Sequence, residues 1–135
     1  MKFINPKILM TSSALFLGVL GLTVSFFPQE ILAHFNEEAE PFSLLFTKFS
    51  GLFLMSFAIL NWMARGNIIG GIYSRPVALG NVMQFFFGAS LLIELLMTEA
   101  SGNLGLWGIT IGYSLFGLAF LIIMFGNPIP KKGAT

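Results

Sequence analysis

The sequence contains no cysteine and only one histidine, His34. Without cysteine the chain forms no disulfide bond, no thiol redox centre and no cysteine-ligated zinc site. Membrane haem proteins usually hold iron between histidines inside their apolar helices, and His34 lies in a loop between apolar stretches instead. A surface cation held by His34 with Glu30, Glu37 and Glu38 is an alternative to a solvated loop histidine. We therefore expect no resident metal ion and no cofactor.

Charge is also scarce, since only 10% of the 135 residues are charged and the formal net charge is +1. Soluble globular chains are about 25% charged. The absence of a strong basic field disfavours nucleic acid as a partner. Hydrophobic residues make up 56% of the chain, and the mean hydropathy is +0.85. The composition predicts an integral membrane protein.

Catalytic motifs are missing as well. The glycines around Gly66, Gly70 and Gly71 lack the Lys-Ser/Thr pair of a phosphate-binding loop. His34 is not near a nucleophile motif, so no serine–histidine–acid set is expected. A paired-carboxylate site needs two acids, and Glu94 is the one acid in the apolar stretches. The sequence therefore assigns no catalytic residue and disfavours an enzyme.

Four long apolar stretches are present, and each is long enough to cross the hydrocarbon core of a bilayer as a helix. Lipid offers no water to the backbone, so such stretches must satisfy their own hydrogen bonds. The first is longer than the apolar core of a signal peptide, and we expect it to be retained. The prediction is one all-α domain over residues 1–135, an antiparallel up-down four-helix bundle with spans at 8–27, 42–64, 77–98 and 104–125.

The loops predict the orientation of these spans. Lys48 lies inside a span, and the remaining basic residues all fall on one side of the predicted membrane. The loop at 28–41 holds four glutamates and no lysine or arginine. Because basic loops stay cytoplasmic, both termini are predicted to be cytoplasmic in the cell inner membrane. The basic residues on that side are Lys2, Lys7, Arg65, Arg75, Lys131 and Lys132.

Small residues recur at helical spacing in three spans, which is typical of closely packed membrane helices. We expect these stripes to form the contacts within the bundle, although a seam for a partner protein is an alternative. The stripes are Ala14, Gly18, Gly21 and Ser25 in the first span, Gly51 and Ala58 in the second, and Gly105, Gly108, Gly112 and Ala119 in the fourth.

Two charges interrupt the apolar spans, Lys48 and Glu94. From the helical rise, Lys48 lies ~9 Å and Glu94 ~6 Å below the outer surface. Charges at such positions usually mark a partner or a site. Three interpretations stay open: an ion pair between neighbouring helices, a proton- or cation-responsive Glu94, and a neutral Glu94 beside a lysine that reaches the interface along its stem.

A second polar group lies towards the cytoplasmic side and consists of Asn61, Asn81 and Gln84, with Trp62 beside Asn61. On a helical wheel, one broad side of the third span carries Asn81, Gln84 and Glu94. Amides at this depth most often bridge helices. The alternative is a polar cavity walled by Trp62 and the run Phe85–Phe87.

Four short segments carry a local resemblance, namely Phe27-Pro28, Lys48-Phe49-Ser50-Gly51, the run from Ile59 to Gly66, and Ser74-Arg75-Pro76. They resemble small four-span DoxX-like and related bacterial membrane families, and this resemblance extends over about half of the chain. Members of such families are often accessory subunits. The resemblance implies no catalytic residue.

Three functions follow from these patterns. The first is an accessory or ligand-binding protein that holds a lipid, a quinone-like molecule or a larger membrane complex. The second is a small oligomeric transporter or channel protomer, and the third is an enzyme acting inside the membrane. The predicted partners are the lipid bilayer and further membrane subunits or copies of the chain. The candidate binding residues are Lys48, Glu94, Asn61, Trp62, Asn81 and Gln84.

Overall fold

A computed structural model of the chain describes residues 4–66, 75–99 and 102–126. In this part of the chain the fold is all-α, and we number five helices. They are α1 (Pro6–Phe26), α2 (Pro28–His34), α3 (Pro41–Ala64), α4 (Arg75–Thr98) and α5 (Leu104–Phe125). Lys2, Ser74, Lys131 and Lys132, used in the predictions above, lie outside the described residues.

Four of these helices, α1, α3, α4 and α5, are long and apolar enough to cross a membrane. The prediction of an all-α chain with four helices that could cross a membrane is confirmed by the length and composition of these helices. Pro6, Pro28 and Pro41 each occupy the first position of a helix, where the missing N–H group costs no hydrogen bond. Because proline fits this position, α1 begins at Pro6, two residues before the predicted span. The α4 helix also begins two residues before its predicted span, at Arg75.

The middle of α4 contains one turn of π-helix, Met83–Phe87. A π turn takes up about one extra residue, so the side chains beyond it are rotated by ~100° relative to an uninterrupted α-helix. No feature of the local sequence predicts this π turn. It changes which residues of α4 share a face.

The described part of the chain divides into two compact units, one formed by residues 10–65 and the other by the remaining described residues. We call the first the α1–α3 unit. In it, α1 and α3 pack as an antiparallel pair, since Ser13 contacts Asn61 while Ser25 contacts Gly51. The small-residue stripes predicted for the first two spans meet here, and Gly18 faces Ala58.

The helices α1 and α3 approach each other closely at Gly21 and Gly51. A Cβ atom on Gly51 would lie 2.7 Å from the backbone nitrogen of Ser25 and 2.9 Å from the carbonyl oxygen of Gly21. A Cβ atom on Gly21 would lie 2.9 Å from the carbonyl oxygen of Gly51. The backbones touch because neither residue has a side chain.

The short helix α2 follows α1 after Phe27 and packs against α3. Its first residue, Pro28, is buried. It ends in a Schellman motif, in which Glu37 N–H bonds to Leu32 O at 2.9 Å and Asn36 N–H bonds to Ala33 O at 3.1 Å. Asn36 has a φ of 57°, a left-handed conformation that asparagine tolerates. The loop predicted at residues 28–41 therefore begins with a short helix.

The second unit contains α4 and α5, which also pack antiparallel. Gly117 of α5 lies against the π turn, since a Cβ atom there would be 3.0 Å from the backbone nitrogen of Phe86. Gly88 of α4 accommodates the Tyr113 ring in the same way, with 2.8 Å between the ring and a Cβ atom. Gly117 thus allows α5 to approach the backbone of α4, and Gly88 leaves room for a ring of α5.

The small-residue stripe predicted as the contact face of α5 is wrong at Gly105 and Gly108. Both are exposed, and no heavy atom lies within 4 Å of a Cβ atom on Gly108, whereas Gly112 and Ala119 are half-buried. The physical reason is that α5 contacts α4 through Gly117, which lies against the backbone of Phe86, and through the Tyr113 ring, which lies against Gly88. The buried stripe of α5 consists of Leu106, Thr110, Tyr113, Gly117 and Phe120.

Candidate functional site

A buried polar bridge joins α1 and α3 near one end of the pair. Asn61 Nδ2 donates a hydrogen bond to Ser13 Oγ at 3.0 Å, and Ser13 Oγ donates to the carbonyl oxygen of Met10 at 3.0 Å. All three residues are 0% exposed. Asn61 therefore bridges two helices, as the first interpretation of the amide group predicts.

An open, almost entirely apolar groove lies beside this bridge on the surface of the α1–α3 unit. Its volume is about 220 Å³. Ala14 and Ala58 form its floor because their side chains are short and the two helices run close together. The groove is lined by Ala14, Leu15, Ala58, Ile59 and Trp62.

Trp62 stands at one end of the groove and is 45% exposed. The guanidinium carbon of Arg65 lies 4.0 Å from the centroid of the Trp62 ring, which is a cation–π contact. Arg65 Nη1 also donates a hydrogen bond to the carbonyl oxygen of Trp62. These two contacts hold a positive charge against Trp62, which lines the groove. The candidate list from the sequence included Trp62 but missed Arg65, which the i to i+3 spacing could have indicated.

The other predicted amides lie in α4. Asn81 is 0% exposed, and its Nδ2 donates to the carbonyl oxygen of Val77 at 2.9 Å within its own helix. Gln84 is half-buried, and its Nε2 donates to the hydroxyl of Tyr113 on α5 at 3.1 Å. Gln84 thus also bridges two helices. Tyr113 was not among the predicted site residues.

Sequence reasoning also missed an aromatic cluster around the π turn. Phe85 is 0% exposed and lies 5.3 Å from Tyr113, 5.1 Å from Phe116 and 5.6 Å from Phe120, measured between ring centroids. Phe86 and Phe87 are exposed. The run Phe85–Phe87 is therefore split, with one ring in the α4–α5 contact and two rings outside it.

Lys48 and Glu94 are both exposed side chains. Lys48 belongs to the α1–α3 unit and Glu94 to α4, so their pairing stays a prediction. On the helical wheel of an uninterrupted helix Glu94 lies ~80° from Gln84, and the π turn increases this separation by ~100°. Asn81 is buried whereas Glu94 is exposed.

In the described ranges, no group of three or more histidine, aspartate or glutamate side chains is arranged to hold a metal ion. His34 is exposed, and its ring lies edge-on to Phe35 with 5.5 Å between the centroids. Among these residues, no buried side-chain nitrogen or oxygen lacks a hydrogen-bond partner. The polar interior is thus engaged in helix contacts.

Comparison with protein-family models, with curated proteins and with solved structures finds no match to this chain. The resemblance to DoxX-like families stays a prediction. The candidate site consequently depends on geometry alone, and its clearest element is the apolar groove with Trp62 and Arg65 at one end.

Proposed function

We propose that the chain is a small multi-pass protein of the cell inner membrane, of accessory or ligand-binding type. Its four long helices cross the bilayer, with both termini in the cytoplasm. It acts by holding a lipid or a larger membrane complex against its helix faces. This function includes no chemical step and no transported solute.

One observation supports this proposal above the others. The buried polar side chains serve as bridges or helix bonds, whereas the two charges within the long helices, Lys48 and Glu94, are exposed. A transport path needs polar groups that face an internal route. Exposed charges inside a bilayer instead favour contact with another molecule, because lipid tails do not solvate a carboxylate.

Glu94 is the residue that makes this proposal testable. A photo-crosslinking residue at Leu91, one turn before Glu94 and also exposed, reports what contacts this face of α4 in native membranes. We expect one discrete protein product, and we expect Glu94→Gln to remove it. The matched control is the same crosslinker at Leu118 of α5, which is similarly exposed. Adducts with lipid alone at both positions would contradict assembly with a partner.

The exposed carboxylate of Glu94 also favours a second candidate function, an oligomeric transporter or channel protomer. In that arrangement Glu94 lines a path between copies of the chain. The purified protein alone, in sealed vesicles with a pH gradient, discriminates the two. Proton or cation flux that Glu94→Gln abolishes would support transport, and the absence of flux supports the accessory function.

A further inference from the structure

The groove of the α1–α3 unit has the chemistry of a site for a lipid chain. It offers almost no polar surface, and it is open along the helices rather than enclosed. Pockets for drug-sized ligands have volumes of about 300–1,000 Å³. The groove, at about 220 Å³, is below that range. Its size and shape therefore fit a segment of acyl chain better than a bulky ring system.

Arg65 adds a specific polar group at the end of this apolar surface. Its guanidinium is held over the Trp62 ring, which lines the groove. Arginine has five N–H donors, and the bond to the Trp62 carbonyl uses one of its terminal nitrogens. Guanidinium groups bind phosphate in a two-pronged geometry. A phosphate above the groove would therefore meet a donor that is already oriented.

Charge complementarity within this unit favours an anion at Arg65. The glutamates of the unit, at positions 30, 37, 38 and 40, all precede α3, whereas Arg65 follows its last residue. A helix of 24 residues is ~36 Å long. The glutamates of this unit are thus too far along α3 to neutralise Arg65.

We infer that this groove binds one acyl chain of an anionic phospholipid, whose phosphate accepts hydrogen bonds from Arg65. The inference rests on the proposed function and names the ligand class. Trp62 then lies between the acyl chain and the headgroup, the level at which tryptophan is enriched in membrane proteins. Arg65 lets the site distinguish lipids by the charge of the headgroup. The groove itself does not distinguish one acyl chain from another.

Trp62 itself reports occupancy of the site, because brominated acyl chains quench tryptophan on contact. The chain has two tryptophans, so Trp107→Phe leaves Trp62 as the only tryptophan. The purified variant is reconstituted in phosphatidylcholine vesicles and titrated with brominated phosphatidylglycerol or brominated phosphatidylcholine. One interfacial arginine contributes ~1 kcal/mol to anionic lipid binding, which predicts an apparent association constant about fivefold higher for phosphatidylglycerol.

Arg65→Gln in this background is expected to bring the ratio of the two constants to about one. Arg75→Gln is the matched control, since Arg75 is exposed and does not line the groove, and it should keep the full ratio. Comparing the two lipids within each variant cancels any change in Trp62 emission. Equal quenching by both lipids before mutation, or a ratio that Arg65→Gln leaves unchanged, would overturn the inference.

The lipid site and the proposed function are tested by two separate experiments. The quenching assay uses the purified chain without a partner, whereas the crosslinking at Leu91 uses native membranes. If neither brominated lipid quenches Trp62, the groove is covered by protein and not by lipid. That outcome overturns the lipid site while leaving the accessory function in place.

Discussion

Asn61 on α3 and Ser13 on α1 share a hydrogen bond of 3.0 Å that is sealed from the surroundings, with both residues 0% exposed. The bond lies at the opposite end of the α1–α3 contact from the Gly21–Gly51 approach. Two different interactions thus hold α1 and α3 together. A polar bridge fixes the register at one end, and backbone contact between glycines fixes the distance at the other.

The bridge predicts an energetic coupling between Asn61 and Ser13. Asn61→Ala and Ser13→Ala should each lower the free energy of unfolding, and together they should lower it by less than the sum of the two. Interhelical hydrogen bonds in membranes contribute ~0.6 kcal/mol on average and up to ~1.7 kcal/mol. A double-mutant cycle of unfolding in mixed micelles measures the difference.

The control for this cycle is Ser56→Ala, because Ser56 is exposed and its hydroxyl bonds to Leu52 O in its own helix. Pairing Ser56→Ala with Asn61→Ala should give additive losses. A coupling near zero for Ser13 and Asn61 would contradict the bridge.

The glycine contact predicts that one added methyl group separates the helices. In Gly51→Ala the new Cβ atom would lie 2.7 Å from the backbone nitrogen of Ser25, and a backbone cannot rotate away as a side chain can. Overpacking of this kind costs about 1–3 kcal/mol. Unfolding in mixed micelles should show the loss, and distances between spin labels on α1 and α3 should increase.

Gly108→Ala provides the matched comparison in α5, because a Cβ atom there would meet no heavy atom within 4 Å. This variant should be neutral or slightly stabilising, since alanine favours helix over glycine by about 1 kcal/mol. A larger loss at Gly108 than at Gly51 would show that the exposed face of α5 is an interface.

These two glycines also show how far the sequence predicts the fold. The spacing of Gly18, Gly21 and Gly51 predicts a seam, because small residues at helical intervals allow backbones to touch in either helix. The same reasoning fails at Gly108. There the spacing is equally regular, but α5 packs through Tyr113 and Phe120, and a pattern of small residues does not indicate which glycines face a large partner.

The candidate site was predictable only in part for a similar reason. Hydropathy and amide type identify Asn61 and Gln84 as helix-bridging side chains, whereas their partners Ser13 and Tyr113 depend on the packing of another helix. The π turn in α4 has no sequence signal, and it shifts the face of Glu94. Arg65 was used only to predict the orientation, although its i to i+3 spacing from Trp62 is compatible with the cation–π contact that the structure shows.

Phe85 predicts a third stability effect. Its ring is 0% exposed among three rings of α5, while Phe87 in the same π turn is 51% exposed. Phe85→Ala should lower the free energy of unfolding by about 3–5 kcal/mol, since it leaves a cavity. Phe87→Ala should change it by about 0.5 kcal/mol or less. Equal effects, measured by chemical unfolding with far-ultraviolet circular dichroism, would contradict the assignment of Phe85 to the helix contact.

The absence of cysteine makes the predicted sidedness directly measurable, because any introduced thiol is the only one in the chain. Ala39 lies in the acidic loop before α3 and Gly66 lies just after α3, and both are exposed. In intact cells a membrane-impermeant maleimide should label Ala39→Cys and leave Gly66→Cys unlabelled, because basic loops remain cytoplasmic. After lysis both variants should react, which controls for the accessibility of each thiol. The reverse pattern in intact cells would place the acidic loop in the cytoplasm, and Arg65 would then face the outer leaflet.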